Sequence, residues 1–268
     1  MLIIKTMKTP IFADARLENM GRFVMKVAGQ VVGVSALFKS TREYCDIYLY
    51  DATPDFFVKL TSPDIAFEQA FVDQEHAIEG QPIRKIDEYL LERTALQRKI
   101  AERLFEYETV LFHGSVIAVD GEAYLFTAKS GTGKSTHTRL WRELLSDRAV
   151  MVNDDKPFLR VMPDCIQVYG SPWNGKHGLG NNIDVPLKAI CILERGEHNE
   201  ISKIPANEAV SMLLQQSNRP HGAALLPKYF DILEHIANKT AFYRLKCNMD
   251  PEAALIAYQT MSGNVKEK

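Results

Sequence analysis

The sequence has no Cys-x-x-Cys pair. Its four cysteines, Cys45, Cys165, Cys191 and Cys247, stand far apart, which argues against a zinc site and a dense disulfide framework and favours buried free thiols in a reducing compartment. Neither charge is in excess, since 32 Lys and Arg face 34 Asp and Glu for a net charge of -2. Neither a nucleic-acid surface nor an anionic-membrane surface is therefore expected. No apolar run approaches the roughly 18–20 residues of a membrane span. The first residues, Met1 to Lys8, form no long apolar core followed by a small-residue cleavage site, so the expectation is a cytoplasmic protein. Internal repeats and low-complexity tracts are also missing. What is present is ordinary for a globular chain: 268 residues, 46% apolar and 25% charged, enough for one substantial domain with a small appendage.

Residues 20–61 read as β-rich, with short β-branched or aromatic runs at Arg22–Val27, Val31–Val34, Cys45–Tyr50 and Phe56–Leu60 broken by Gly, Asp and Pro. Ser62-Pro63-Asp64 supplies an N-cap, an early proline and an early acid for a helix through about Val72. A longer helix from about Ile86 to Glu106 carries Leu96, Ile100 and Leu104 at four-residue spacing among charges that read as a solvated face. The pattern changes at His113. Val116–Val119 and Ala123–Thr127 flank Asp120-Gly121, a favoured hairpin turn; a helix from Lys134 to about Leu145 and a strand at Ala149–Val152 follow. Further strands are expected at Phe158–Val161, Ile166–Tyr169, Leu187–Leu193 and Ala241–Leu245. Helices are expected near Ala206–Gln216, Leu226–Ala237 and Pro251–Met261, the last capped by Asp250. Segment 170–186 is too rich in Gly and Pro for regular structure, and such loops in compact domains are usually either functional or disordered. The fold class is thus α/β, a mixed sheet around a phosphate-loop βαβ core at 108–268, with a small α+β region at 1–107.

The chemistry concentrates in Ala128-Lys129-Ser130-Gly131-Thr132-Gly133-Lys134-Ser135-Thr136. Glycines let successive N–H groups point inward at phosphates, and the following helix adds its positive end. Lys134 would reach the β- and γ-phosphates, and the Ser135 hydroxyl would take a position on Mg²⁺. The usual first glycine is Ala128, a methyl tolerated if the local φ stays negative. An apolar strand then ends at Asp154-Asp155, which a right-handed crossover to a neighbouring strand brings beside the loop. Adjacent side chains of an extended strand face opposite ways, so the two carboxylates divide the labour, one accepting the proton of an attacking hydroxyl and the other supporting Mg²⁺.

His113-Gly114, the hairpin, the phosphate loop, Asp154-Asp155 and Gly178-Leu179-Gly180 fall in the order found in the HPr kinase/phosphorylase catalytic domain, which residues 108–200 resemble; the phosphoenolpyruvate carboxykinases share a more distant version. The resemblance implies an ATP- and Mg²⁺-dependent serine kinase with Asp154 as general base, Lys134 on phosphate, Ser135 on Mg²⁺ and His113 in the same network. It also implies an oligomer. Where that family carries a Glu and an Arg before Gly-Leu-Gly, this chain has Gly175 and His177 with Lys176 between them. Ser135 and the Asp pair must then carry more of the metal chemistry, with Asp155 the second metal candidate. Lys176 and His177 either offer positive charge to the transferring group or form a solvated loop tip.

Arg195 and Arg219 are weaker phosphate candidates, and Trp173 is expected to pack under the Gly-rich loop. The reading is an ATP-binding phosphotransferase acting on a hydroxyl, a serine of a peptide or protein. A small-metabolite kinase and a non-catalytic nucleotide sensor are the alternatives. The first lacks an arginine-rich lid here, and a carboxykinase-type lyase lacks evident ligands for a second metal.

Overall fold

The computed structural model of the chain describes residues 21–129 and 131–263. Of these, 21–25 and 31–96 fall in one compact unit, and 26–30 with the rest fall in a second. β1 (Gly21–Val27) and β2 (Gln30–Ala36) are joined by Ala28-Gly29. α1 (Lys39–Tyr44) then leads to β3 (Phe56–Lys59), parallel to β2, for a sheet order of β1-β2-β3. The strand expected at Cys45–Tyr50 is not formed. Tyr48 N and Leu49 N donate to Cys45 O and Asp46 O, a 3-10 turn that joins the sheet through a bridge between Met25 and Leu49. The apolar pattern there belongs to a turn whose Cys45 and Tyr48 are buried.

α2 (Ser62–Glu79) runs past Val72 to Gly80. Its cap is Thr61 rather than Ser62: the Asp64 carboxylate accepts from Thr61 N at 2.9 Å, closing a capping box. α3 (Glu88–Leu104) contributes Glu92, fully buried, whose carboxylate accepts from Leu37 N, Phe38 N and the Thr41 hydroxyl. A carboxylate can be held inside the protein there because donors surround it.

The second unit begins with β4 (Thr109–Leu111), β5 (Ser115–Val119) and β6 (Glu122–Thr127), followed by α4 (Lys134–Leu145) and β7 (Ala149–Asn153). β8 (Phe158–Val161), β9 (Ile166–Tyr169), β10 (Asp184–Arg195) and β11 (Glu200–Ile204) come next. α5 (Ala206–Gln216), α6 (Leu226–Lys239), β12 (Ala241–Cys247) and α7 (Glu252–Ser262) complete it. The strands run in the order β4-β8-β9-β10-β6-β5-β7, with β12 on β10 and β11 on β12. β10 is long enough to serve two neighbourhoods. Its first residues pair antiparallel with β9, and its remainder pairs parallel with β6 and β12. The expected α/β class with a mixed sheet is what forms.

Both faces of this sheet are covered, as the alternation along β6 requires. Tyr124 and Phe126 pack with Leu140 and Trp141 of α4 and Ala254 and Ala257 of α7. Ala123 and Leu125 pack with Leu213 of α5 and Ile232 and Ile236 of α6. Burying a leucine, isoleucine or phenylalanine side chain there contributes about 1.5–3 kcal/mol. Two further sequence expectations are corrected. β7 is not the neighbour of β6, because β5 lies between them and is antiparallel to both. β4, β11 and α1 are too short or too polar to have been foreseen. Asp250 does not cap α7: Pro251 holds that position, and the Asp250 carboxylate accepts from Asn248 Nδ2 at 2.7 Å.

The topology gathers the candidate residues at one edge. β12, β10, β6 and β7 are parallel, so their C-terminal ends share an edge of the sheet, and β5, running the opposite way, starts there. In spatial order that edge presents Asn248 after β12, the end of β10 at Arg195, the phosphate loop after β6, His113 before β5, and Asp154-Asp155 after β7. Ligands of open α/β sheets bind at such carboxyl ends.

Candidate active site

The loop after β6 has the backbone its glycines allow. Gly131 and Gly133 have φ of 74° and 120°, conformations that side chains resist, and Gly133 sits at the N-terminal cap of α4. Ala128 is not among the residues of positive φ, and its methyl is buried with Leu140 and Trp141. The missing first glycine is thereby accommodated. Lys129 O accepts from Thr132 N and Oγ1 at 3.2 and 2.8 Å, closing the turn. Ser130 lies outside the described residues. Lys134 Nζ is 3.5 Å from Ala128 O, while Ser135 is exposed and Thr136 half-buried in the first turn of α4. Arg195 Nη2 donates to Gly131 O at 2.6 Å, tying the end of β10 to the loop.

The two aspartates part company. Asp154 is buried, and its Oδ1 accepts from Gly175 N at 2.6 Å, so it faces the Gly-rich loop. Asp155 Oδ1 lies 3.2 Å from His113 Nε2, so it faces the start of β5. Their basicities diverge accordingly. Burial pushes the Asp154 carboxyl above its usual value despite donation from Gly175 and Leu179 N–H groups, and the neighbouring Asp155 charge adds to the rise. For Asp155 burial acts upward too, but the His113 hydrogen bond and the Lys156, His113 and Lys134 charges together outweigh it and hold the carboxyl below its usual value. Lys134 is lowered by burial, with Asp155 opposing and Lys156 reinforcing. Burial likewise lowers Lys156 against Asp155.

Asn153, absent from the sequence-derived set, organises this corner. It is fully buried. Its Oδ1 accepts from Asp155 N and Lys156 N at 2.8 and 2.6 Å. Its Nδ2 lies 3.1 Å from Ser171 O and 3.0 Å from Asn174 Oδ1. One amide thus holds both the turn bearing the aspartates and the base of the Gly-rich loop. The loop returns along β7: Asn181 N donates to Val152 O, and Gly180 bridges Asn153. Gly180 has no room for a side chain, since a Cβ there would lie 2.1 Å from Asn174 Oδ1. The signal for Asn153 was a polar residue closing the apolar run Val-Met-Val; Lys156 was marked only by following the acidic pair.

Lys176 and His177 are not gathered in. Both are exposed at the tip of a turn closed by Gly178 N to Gly175 O, and among the described residues no hydrogen bond or ion pair joins either to the aspartates or the phosphate loop. Arg219 is exposed as well. Trp173 is buried beneath the loop with its ring edge-to-face to Phe158. His113 is positioned by its backbone, with N donating to Gln216 O and O accepting from the Thr127 hydroxyl.

Among the described residues no three His, Cys, Asp or Glu side chains form a metal cage. Mg²⁺ needs none, being held by one or two carboxylates together with substrate phosphates and water. An ionised Asp155 and an exposed Ser135 fit that requirement. Among the described residues no helix is long and apolar enough to cross a membrane.

Residues 81–255 match the family model described as SynChlorMet cassette protein ScmC. No curated protein matches the chain. Among solved structures it is similar to the HPr(Ser) kinase/phosphatase from Coxiella burnetii, with 11% identity and a TM-score of 0.35, covering 57% of this chain and 94% of that one. So low a score carries no weight for mechanism.

Proposed function

The chain belongs to the SynChlorMet cassette protein ScmC family, and we propose that it is an ATP- and Mg²⁺-dependent kinase that transfers the γ-phosphoryl group to a hydroxyl, a serine of a peptide or protein. The observation that carries this reading is the convergence at one sheet edge of a phosphate loop with two adjacent carboxylates of opposite tuning. Asp154, raised by burial, is suited to accept a proton. Asp155, held ionised by His113 and two lysines, is suited to hold a cation with the Ser135 hydroxyl.

When bound, Mg²⁺ would neutralise charge on the β- and γ-phosphate oxygens. Lys134 and the loop N–H groups hold the phosphates. Asp154 takes the proton of the serine hydroxyl as its oxygen bonds to the γ-phosphorus, and the bond to the β-phosphate oxygen breaks to release ADP. The Asn153 side chain keeps both carboxylates and the Gly-rich loop in register.

The test is incubation of purified protein with MgATP and a library of serine-containing peptides and metabolites, read by mass spectrometry. Phosphorylated product with matching ADP supports the reading. Nucleotide binding with neither hydrolysis nor transfer would contradict it and leave a nucleotide sensor.

A further inference from the structure

The loop that holds the Asp154 carboxylate carries two exposed basic side chains at its tip. Asp154 Oδ1 accepts from Gly175 N at 2.6 Å, and the same carboxylate accepts from Leu179 N. Gly178 N donates to Gly175 O, so the residues between the two donors form one tight turn with Lys176 and His177 at its outer end. The base of the turn is held as well, because Gly180 bridges Asn153 and Asn174 Oδ1 lies 3.0 Å from Asn153 Nδ2. The tip is thus tied through its own backbone to the carboxylate proposed as proton acceptor.

Gly175 also governs how that carboxylate is reached. A Cβ there would lie 3.2 Å from Asp154 Oδ2, so any side chain would crowd the oxygen that Gly175 N does not occupy. Glycine leaves this flank to an incoming hydroxyl. An acceptor that brings its hydroxyl to Asp154 past Gly175 lays its neighbouring residues along the tip. The tip offers them donors with nothing to cancel them. Lys176 and His177 are both exposed, and among the described residues neither side chain makes a hydrogen bond or ion pair. No Asp or Glu stands between Asp164 and Asp184, and the Asp184 carboxylate accepts from Gln167 Nε2 at 2.8 Å. An ammonium on a flexible stem beside an imidazole N–H suits carboxylates.

We infer that the Lys176-His177 tip reads the acceptor, selecting a serine flanked by the carboxylates of Asp or Glu. The inference rests on the kinase reading for the role of Asp154 and adds the substrate class, an acidic peptide segment. A contact of this kind is solvent-exposed, so it sets choice among acceptors and is weakened by salt.

The test measures kcat/KM of the full chain with MgATP and three serine peptides, identical except that the residues flanking the serine are Glu, Gln or Lys. Wild type is expected to favour the Glu peptide over the Gln peptide about three- to tenfold, with the Lys peptide last, and the preference should shrink at high salt. Lys176→Glu is expected to reverse the order and favour the Lys peptide. Its ATP affinity, measured calorimetrically, should stay within about twofold of wild type, which shows that the variant is folded and that the change lies in acceptor choice. If wild type phosphorylates all three peptides equally, the inference is overturned and the kinase reading stands. It is overturned equally if Lys176→Glu keeps the wild-type order, because another surface then reads the acceptor. If no peptide is phosphorylated, the kinase reading fails and the inference with it.

Discussion

His113 Nε2 lies 3.2 Å from Asp155 Oδ1, joining the start of β5 to the turn after β7. This contact helps hold the Asp155 carboxyl below its usual value. A carboxyl lowered in the folded state contributes stability that is present above its unfolded value, about 3.9, and is lost as pH falls through the folded value. His113→Ala removes the partner and raises the folded value. His113→Ala should therefore melt below wild type at neutral pH, and the gap should narrow as pH falls below about 3.9. Superimposable melting-temperature profiles below neutral pH would show that the contact does not tune Asp155.

Asp154 carries the opposite sign. Its carboxyl is raised by burial, so the folded protein binds the proton more tightly than the unfolded chain does, and stability falls as pH rises from about 3.9 through the folded value. Asp154→Asn keeps an acceptor for Gly175 N and removes the buried charge. It should melt above wild type at neutral pH, with the difference closing under acid, as measured by calorimetry across pH.

Gly180→Ala would place a methyl against Asn174 Oδ1 and push Asn174 from Asn153. Overpacking of this kind costs about 1–3 kcal/mol. The variant should unfold at lower urea concentration and transfer phosphate more slowly, while its affinity for tripolyphosphate stays near wild type because the phosphate loop is untouched.

Lys134→Ala removes a charged hydrogen-bond donor to phosphate, worth about 1.5–3 kcal/mol. That corresponds to a loss of ATP affinity of roughly 10- to 150-fold, measurable by titration calorimetry. Unchanged affinity would displace the nucleotide from this loop.

Local grammar made much of this legible. The Asp120-Gly121 turn, the glycines that start α4 at Lys134, and the apolar runs of β5 and β6 are short-range signals, and their elements form where the sequence placed them. Of what failed, one part was local and the other depended on partners distant in sequence. Cys45–Tyr50 has the composition of a strand but spends its backbone bonds within a 3-10 turn. The insertion of β5 between β6 and β7 is a tertiary choice that no window of sequence contains. In the site, the motif residues announce themselves because their chemistry is unusual. Asn153 does not, because its importance lies in two chain segments meeting at one amide. Lys176 and His177 are exposed on a loop tip, the second of the two roles that their sequence position allowed.

The central claim is that Asp154 accepts the proton of the attacking hydroxyl. It is tested most directly by measuring γ-phosphoryl transfer from MgATP to the serine acceptor for wild type and Asp154→Asn, with ATP affinity measured on the same samples. The account predicts transfer reduced about 10²- to 10⁴-fold with ATP affinity within a few-fold of wild type. Transfer at the wild-type rate by Asp154→Asn would contradict it.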